Sequence, residues 1–203
     1  MKLYKFRPLK NCDDLDKIKD IIENGFFCCD FLNFNDMNEG VFTINSNNRK
    51  INLKEKQKYK ICSFSGANAL NKQLLWGHYA NTGMGIVIEL EINNAEHDKI
   101  KQVRYTNSTE NLDTIEHILT RKSEEWKYEN EFRYLIKTED QDGVEIHIGK
   151  IIKIYFGTPY KSLKNYEEIK GIHKSLKQYL DLKDKLESFC TGKHIQCEDY
   201  KFK

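Results

Sequence analysis

The stretch EWKYENEFRYLI, residues 125–136, forces the chain toward a sheet with one polar and one apolar face. On an extended strand successive side chains point to opposite sides, so Glu129, Glu131 and Arg133 share one face. Phe132, Tyr134 and Ile136 share the other and can pack into a core. The charged face must meet either water or a polar site.

The flanking sequence extends this to a fold. KLYKFR reads as an opening strand stopped by Pro8. DDLDKIKDIIENG then carries Leu15, Ile18, Ile21 and Ile22 on one helical face, with Gly25 as its stop. FFCC resumes an extended segment, and the Asn-rich FLNFNDMNEG is a loop. YKICSFS is a strand, NKQLLWGHYANTG a helix, MGIVIELEI the clearest buried strand, and IKQVRYT another. STENLDTIEHILTRKSEEWKY has a Ser/Thr cap, then Leu112, Ile115, Ile118 and Leu119 at helical spacing. EFRYLI, a turn at Asp142-Gly143, VEIHI and IIKIYFG follow, then a helix over roughly 162–190 and a last strand near HIQCEDYKF. Strands arrive partly in succession and partly between helices. That order predicts a single α+β domain over residues 1–203, with a mixed, mostly antiparallel sheet and flanking helices.

Charge and cysteine usage narrow the function classes. The 33 basic residues nearly balance 31 acidic ones, so the chain lacks the general basic footprint of a nucleic-acid binder. MKLYKFRPLK has no signal-peptide core, and no apolar run reaches the ~20 residues that span a bilayer. A cytoplasmic protein without a membrane partner is expected. The six cysteines contain no Cys-x-x-Cys pair and are expected to be reduced, mostly buried thiols. No metal is expected.

Several polar residues sit where a strand or helix ends, and each has an ordinary surface reading beside a functional one. Arg7, beside Pro8, could grip a phosphate or carboxylate in two parallel hydrogen bonds, or face water from an edge strand. Asn35, Asp36 and Glu39 could bind a ligand or simply build a turn. Ser63 and Ser65 share one strand face, and His78 and Tyr79 carry polar tips that need partners. Trp76 and Trp126 are expected in the core.

LYKFRP, FND with Glu39, CSFS, LLWGHYA, GIVIELE, VRY, and Lys122 followed by WKYENEFR together resemble an uncharacterised bacterial domain-of-unknown-function family. The likeness runs in order from residue 3 to about 157; Met37 stands where proline is usual and Phe132 where tryptophan is. It implies an association with abortive infection and phage defence.

A second resemblance bears on chemistry. Arg7 on a first strand, Ser63-Phe64-Ser65 on a middle one and Glu129-Asn130-Glu131 entering a late one are similar, in order, to the motifs of one class of ADP-ribosyltransferases. The likeness implies NAD as substrate, with Glu131 holding ribose and meeting positive charge, and Glu129 acting on the acceptor. Arg7 would take the diphosphate, Ser63 would support Glu131, Tyr79 would stack on nicotinamide, and His78 would make a polar contact nearby. Tyr4, Lys5, Asn35, Asp36 and Ser65 complete the expected nucleotide contacts. A macromolecular acceptor is left open. So are two other classes: a Mg²⁺-dependent nuclease or hydrolase on Asp36, Glu39, His78 and the Glu-x-Glu pair, and a non-catalytic module that senses a nucleotide or protein.

Overall fold

The computed structural model describes residues 1–34, 55–108, 114–140, 142–159 and 172–201. The opening strand β1 (Lys2–Pro8) runs through Pro8 and leads to helix α1 (Cys12–Asn24). The Asn11 side chain caps that helix by accepting from the Asp14 N–H, and Gly25, at φ 99°, ends it. Leu15, Ile18 and Ile21 are its buried face, as their spacing requires. The remaining elements are β2 (Phe26–Cys28), β3 (Tyr59–Ser65), α2 (Gln73–Tyr79), β4 (Gly85–Ile92), β5 (Ile100–Gln102) and β6 (Arg104–Tyr105). They are followed by α3 (Ile115–Leu119), β7 (Arg121–Lys122), β8 (Glu131–Lys137), β9 (Val144–Ile146), β10 (Gly149–Phe156), α4 (Ile172–Gly192) and β11 (Gln196–Asp199).

The fold is α+β. Seven strands form one sheet in the order β11-β10-β4-β1-β3-β8-β5, antiparallel except where β11 joins β10. β2 pairs with β9, and β6 pairs in parallel with β7. One sheet face carries Leu3, Phe64, Ile86, Ile88, Leu90 and Phe156, covered by apolar residues of α1 and by Leu176, Tyr179, Leu182 and Leu186 of α4. The opposite face carries Tyr4, Phe6 and Val87 beneath Leu75 and Trp76 of α2. Among the described residues no helix is long and apolar enough to cross a membrane.

Two expected elements break up. IKQVRYT divides at Val103 because Ile100–Gln102 pairs with β8 while Arg104–Tyr105 pairs with β7. Among the described residues the long helix expected before Tyr128 amounts to α3, capped by Thr114, with Leu112 outside the described residues; Arg121–Lys122 then turns into a strand and 124–129 into 3-10 turns. Backbone pairing with β6 outweighs the helical spacing there.

Trp76 is 2% exposed; its indole N–H donates to the Leu70 carbonyl at 2.9 Å, and its ring meets Phe6 edge-on and Tyr200 in a stack. Trp76→Ala is expected to destabilise by about 3–5 kcal/mol in urea unfolding. A loss below about 1 kcal/mol would show that this layer is not core. Trp126 differs from expectation. It is only half-buried, and its ring lies 4.4 Å from the Lys122 ammonium, so it screens a charge at the site rather than filling the core.

Candidate active site

The central sheet splits. β1 matches β4 over seven residues, but it touches β3 only at Tyr4 opposite Ser65. Lower down, the neighbour of β3 is instead the end of the β2 segment, where Cys29 pairs with Ile61. Lys5 reaches across the gap from β1, its ammonium donating to the Ser63 carbonyl at 2.5 Å. A cavity of about 400 Å³ lies in this split, a size suited to a small ligand. Tyr4, Lys5, Arg7, Ser63, Ser65, Tyr79, Glu129 and Glu131 all line it, together with Lys122 and Arg133.

His78 does not belong to that lining. It is exposed, next to the Tyr128 ring, because successive residues on a helix point about 100° apart and Tyr79 takes the inward direction. Asn35, Asp36 and Glu39 lie outside the described residues. Among the described residues no three His, Cys, Asp or Glu side chains form a group that could hold a metal ion.

Glu129 and Glu131 reach the cavity by different routes. Glu131 opens β8, and cross-strand pairing sets it opposite Ser65 and Arg133 opposite Ser63. Glu129 is not on the strand; it ends the 3-10 turns, and Asn130, in the left-handed conformation at φ 44°, redirects the chain. The expected alternation across Glu129 is therefore replaced by a turn with the same outcome. Gly66 permits it: the Gly66 N–H donates to the Asn130 carbonyl at 2.8 Å, and a Cβ on Gly66 would come within 2.4 Å of the Asn130 amide.

Both acids are buried and both are paired. Lys122 donates to Glu129 at 2.6 Å and lies 3.4 Å from Glu131, while Arg133 donates to the two Glu131 oxygens at 2.8 and 3.2 Å. Tyr79 donates its phenol to the other Glu129 oxygen at 2.5 Å. Both Glu129 oxygens are thus engaged. Burial alone would raise the Glu131 carboxyl, but Arg133, Lys122 and a Ser63 hydrogen bond hold it at about 2. Burial would likewise lower the Lys122 ammonium, and Glu131 and Glu129 keep it raised. Burial, then the adjacent Glu129, pushes the Tyr79 phenol up, so it remains a donor.

The other two cations of the cavity lack such partners. Neither Lys5 nor Arg7 has a carboxylate within ion-pair distance among the described residues. Burial lowers the Lys5 ammonium, with Arg7 adding to the effect. The buried Arg7 Nε has no hydrogen-bond partner. An anionic ligand would satisfy both.

Sequence reasoning missed Tyr105. Its phenol oxygen accepts from the Glu131 N–H at 2.7 Å, which fixes the start of β8. It stands opposite Lys122 in the two-residue pairing of β6 with β7, too short to leave a periodic signal. No protein-family model, curated protein or solved structure matches the chain.

Proposed function

We propose that the chain binds NAD in the split between β1 and β3 and breaks its nicotinamide–ribose bond, as an ADP-ribosyltransferase-like enzyme or NAD glycohydrolase. One observation carries this reading. A buried carboxylate kept ionised by Arg133 and Lys122 shares a cavity with two cations, Lys5 and Arg7, that have no carboxylate partner among the described residues. The cations suit a diphosphate, and the carboxylate suits a ribose passing through an oxocarbenium-like state.

In this reading the bond from ribose C1′ to the nicotinamide nitrogen breaks, and its electron pair leaves with nicotinamide. Glu131 faces the positive charge that develops on ribose. Water or an acceptor hydroxyl then bonds to C1′ and releases a proton. Glu129, with both oxygens held, keeps Lys122 and Tyr79 in position around Glu131 rather than standing ready as a base. The setting of abortive infection or phage defence, and a cytoplasmic location, belong to the same proposal.

The test is release of nicotinamide from NAD by the purified protein. Arg7→Ala is expected to weaken NAD binding by roughly 10–100-fold, the loss of a charge-assisted hydrogen bond, with a much smaller change in kcat. Calorimetric titration and steady-state kinetics check both. Binding unchanged in Arg7→Ala, or no nicotinamide from the wild type, would remove this reading. NAD binding without turnover would favour a sensor module instead.

A further inference from the structure

Cys28 and Cys62 face each other across two adjoining segments. Cys29 and Ile61 exchange both backbone hydrogen bonds, at 3.1 and 2.8 Å, which makes them a hydrogen-bonded antiparallel pair. One step outward from Cys29 and one step onward from Ile61, Cys28 and Cys62 fall at the neighbouring non-hydrogen-bonded position. Cα atoms at such a position are ~4.5 Å apart. That separation lies within the ~4.4–6.8 Å that a disulfide spans. Both side chains enter the same core cluster, and each thiol is close enough to shift the titration of the other.

The two sulfurs differ in environment. Cys62 lines the cavity, so a small solute can reach it although little of it is surface-exposed. The hydrogen bond from Cys28 lowers the Cys62 thiol, and Lys5 and Arg7 lower it further against the effect of burial, to about 6. The hydrogen bond to Cys62, then burial, raises Cys28. One member is disposed to be the attacking thiolate and the other the resolving thiol.

We propose that Cys28 and Cys62 form a peroxide-responsive dithiol that closes to a disulfide at the split in the sheet, beside Lys5 and Arg7. The oxidant is hydrogen peroxide, small enough for the cavity. The Cys62 thiolate attacks one peroxide oxygen, the O–O bond breaks, and the hydroxide that leaves takes up a proton as water. Cys62 becomes a sulfenic acid. The Cys28 sulfur then attacks the Cys62 sulfur; the S–O bond breaks, and that oxygen leaves with the Cys28 proton as a second water. Two thiols are oxidised by two electrons and one peroxide is reduced to two waters.

Neighbouring thiols make the assignment specific. Cys29 also lines the cavity, but its backbone stands opposite Ile61, not Cys62, so Cys28 is the thiol across from Cys62. Cys190 and Cys197 also shift one another's titration, but neither lines this cavity.

Peptide mapping after peroxide treatment of the whole reduced chain tests the proposal. After unfolding and alkylation, the Cys28 and Cys62 peptides are expected to be joined, and dithiothreitol should separate them. Cys29→Ala should leave the crosslink intact. Cys28→Ala should stop at the sulfenic acid, trapped by dimedone on Cys62. If peroxide leaves both Cys28 and Cys62 fully alkylatable, or joins Cys62 to Cys29, the proposal is wrong. Dimedone on Cys62 of the wild type without a crosslink would also overturn it, because Cys28 would then be out of reach. The wild-type map decides even if a substituted chain fails to fold.

Discussion

Glu131→Gln is expected to lower turnover of NAD by about 100-fold or more while changing NAD affinity far less. Glutamine keeps the size and one acceptor oxygen but removes the charge that, in the proposed reaction, would meet the developing cation, so the loss would fall in the transition state. Arg133 and Lys122 hold the Glu131 carboxyl at about 2, so it is ionised at every pH at which turnover would be assayed. The same substitution leaves Arg133 and Lys122 with less negative charge to offset them, so circular dichroism and urea unfolding must accompany the kinetics. Glu129→Gln offers the contrast. It is expected to lower turnover less than Glu131→Gln does, because Glu129, with both oxygens held by Tyr79 and Lys122, acts by positioning those two groups around Glu131. Equal, small losses in both variants, with folded protein, would mean that neither acid meets the ribose charge.

How the site comes together was only partly legible in the sequence. Alternation in LYKFRP and EFRYLI gave the faces of β1 and β8, and the apolar run of MGIVIELEI gave β4, because each strand has a face on the core. Lys5 and Arg7 were visible as polar residues on the opening strand. That they reach the same cavity as Glu131 depends on β1 and β3 parting after a single residue pair. No local pattern encodes that, since it arises between strands some 50 residues apart. Glu129 was placed beside Glu131 for the wrong reason. Strand alternation was invoked, whereas Asn130 at φ 44° and the closely approaching Gly66 turn the chain. Lys122 sat in a stretch read as helix, and only the short pairing of β7 with β6 aims it at the two acids. His78 lies outside the cavity lining because Tyr79 takes the inward direction at that end of α2 and leaves His78 exposed beside Tyr128.

Arg133→Met is expected to destabilise the fold by about 3–5 kcal/mol, the scale of a buried ion pair that loses one partner. Arg133 is 1% exposed, donates to both Glu131 oxygens, reaches the Leu119 carbonyl, and lies over the Phe34 ring. Methionine can occupy much of that space but leaves the carboxylate only the more distant Lys122, 3.4 Å away, as its cation among the described residues. The pH dependence has a definite sign. A carboxyl held at about 2 in the folded state lies below its ordinary value of ~4.3, so its contribution is fully present above about pH 4.3. It is lost as pH falls from there through about 2, and its full size is roughly 3 kcal/mol by the same linkage. Without Arg133 the burial effect that raises the carboxyl is less opposed, so its folded value moves up toward the unfolded one. The acid-side loss of stability should then be shallower than in the wild type, even though Arg133→Met is the weaker protein at neutral pH. Urea unfolding at steps between pH 7 and pH 3 measures both effects. A variant within about 1 kcal/mol of wild type at pH 7 and with an unchanged slope would mean that Arg133 does not hold Glu131 ionised. The charged carboxylate in the cavity would then need a different source.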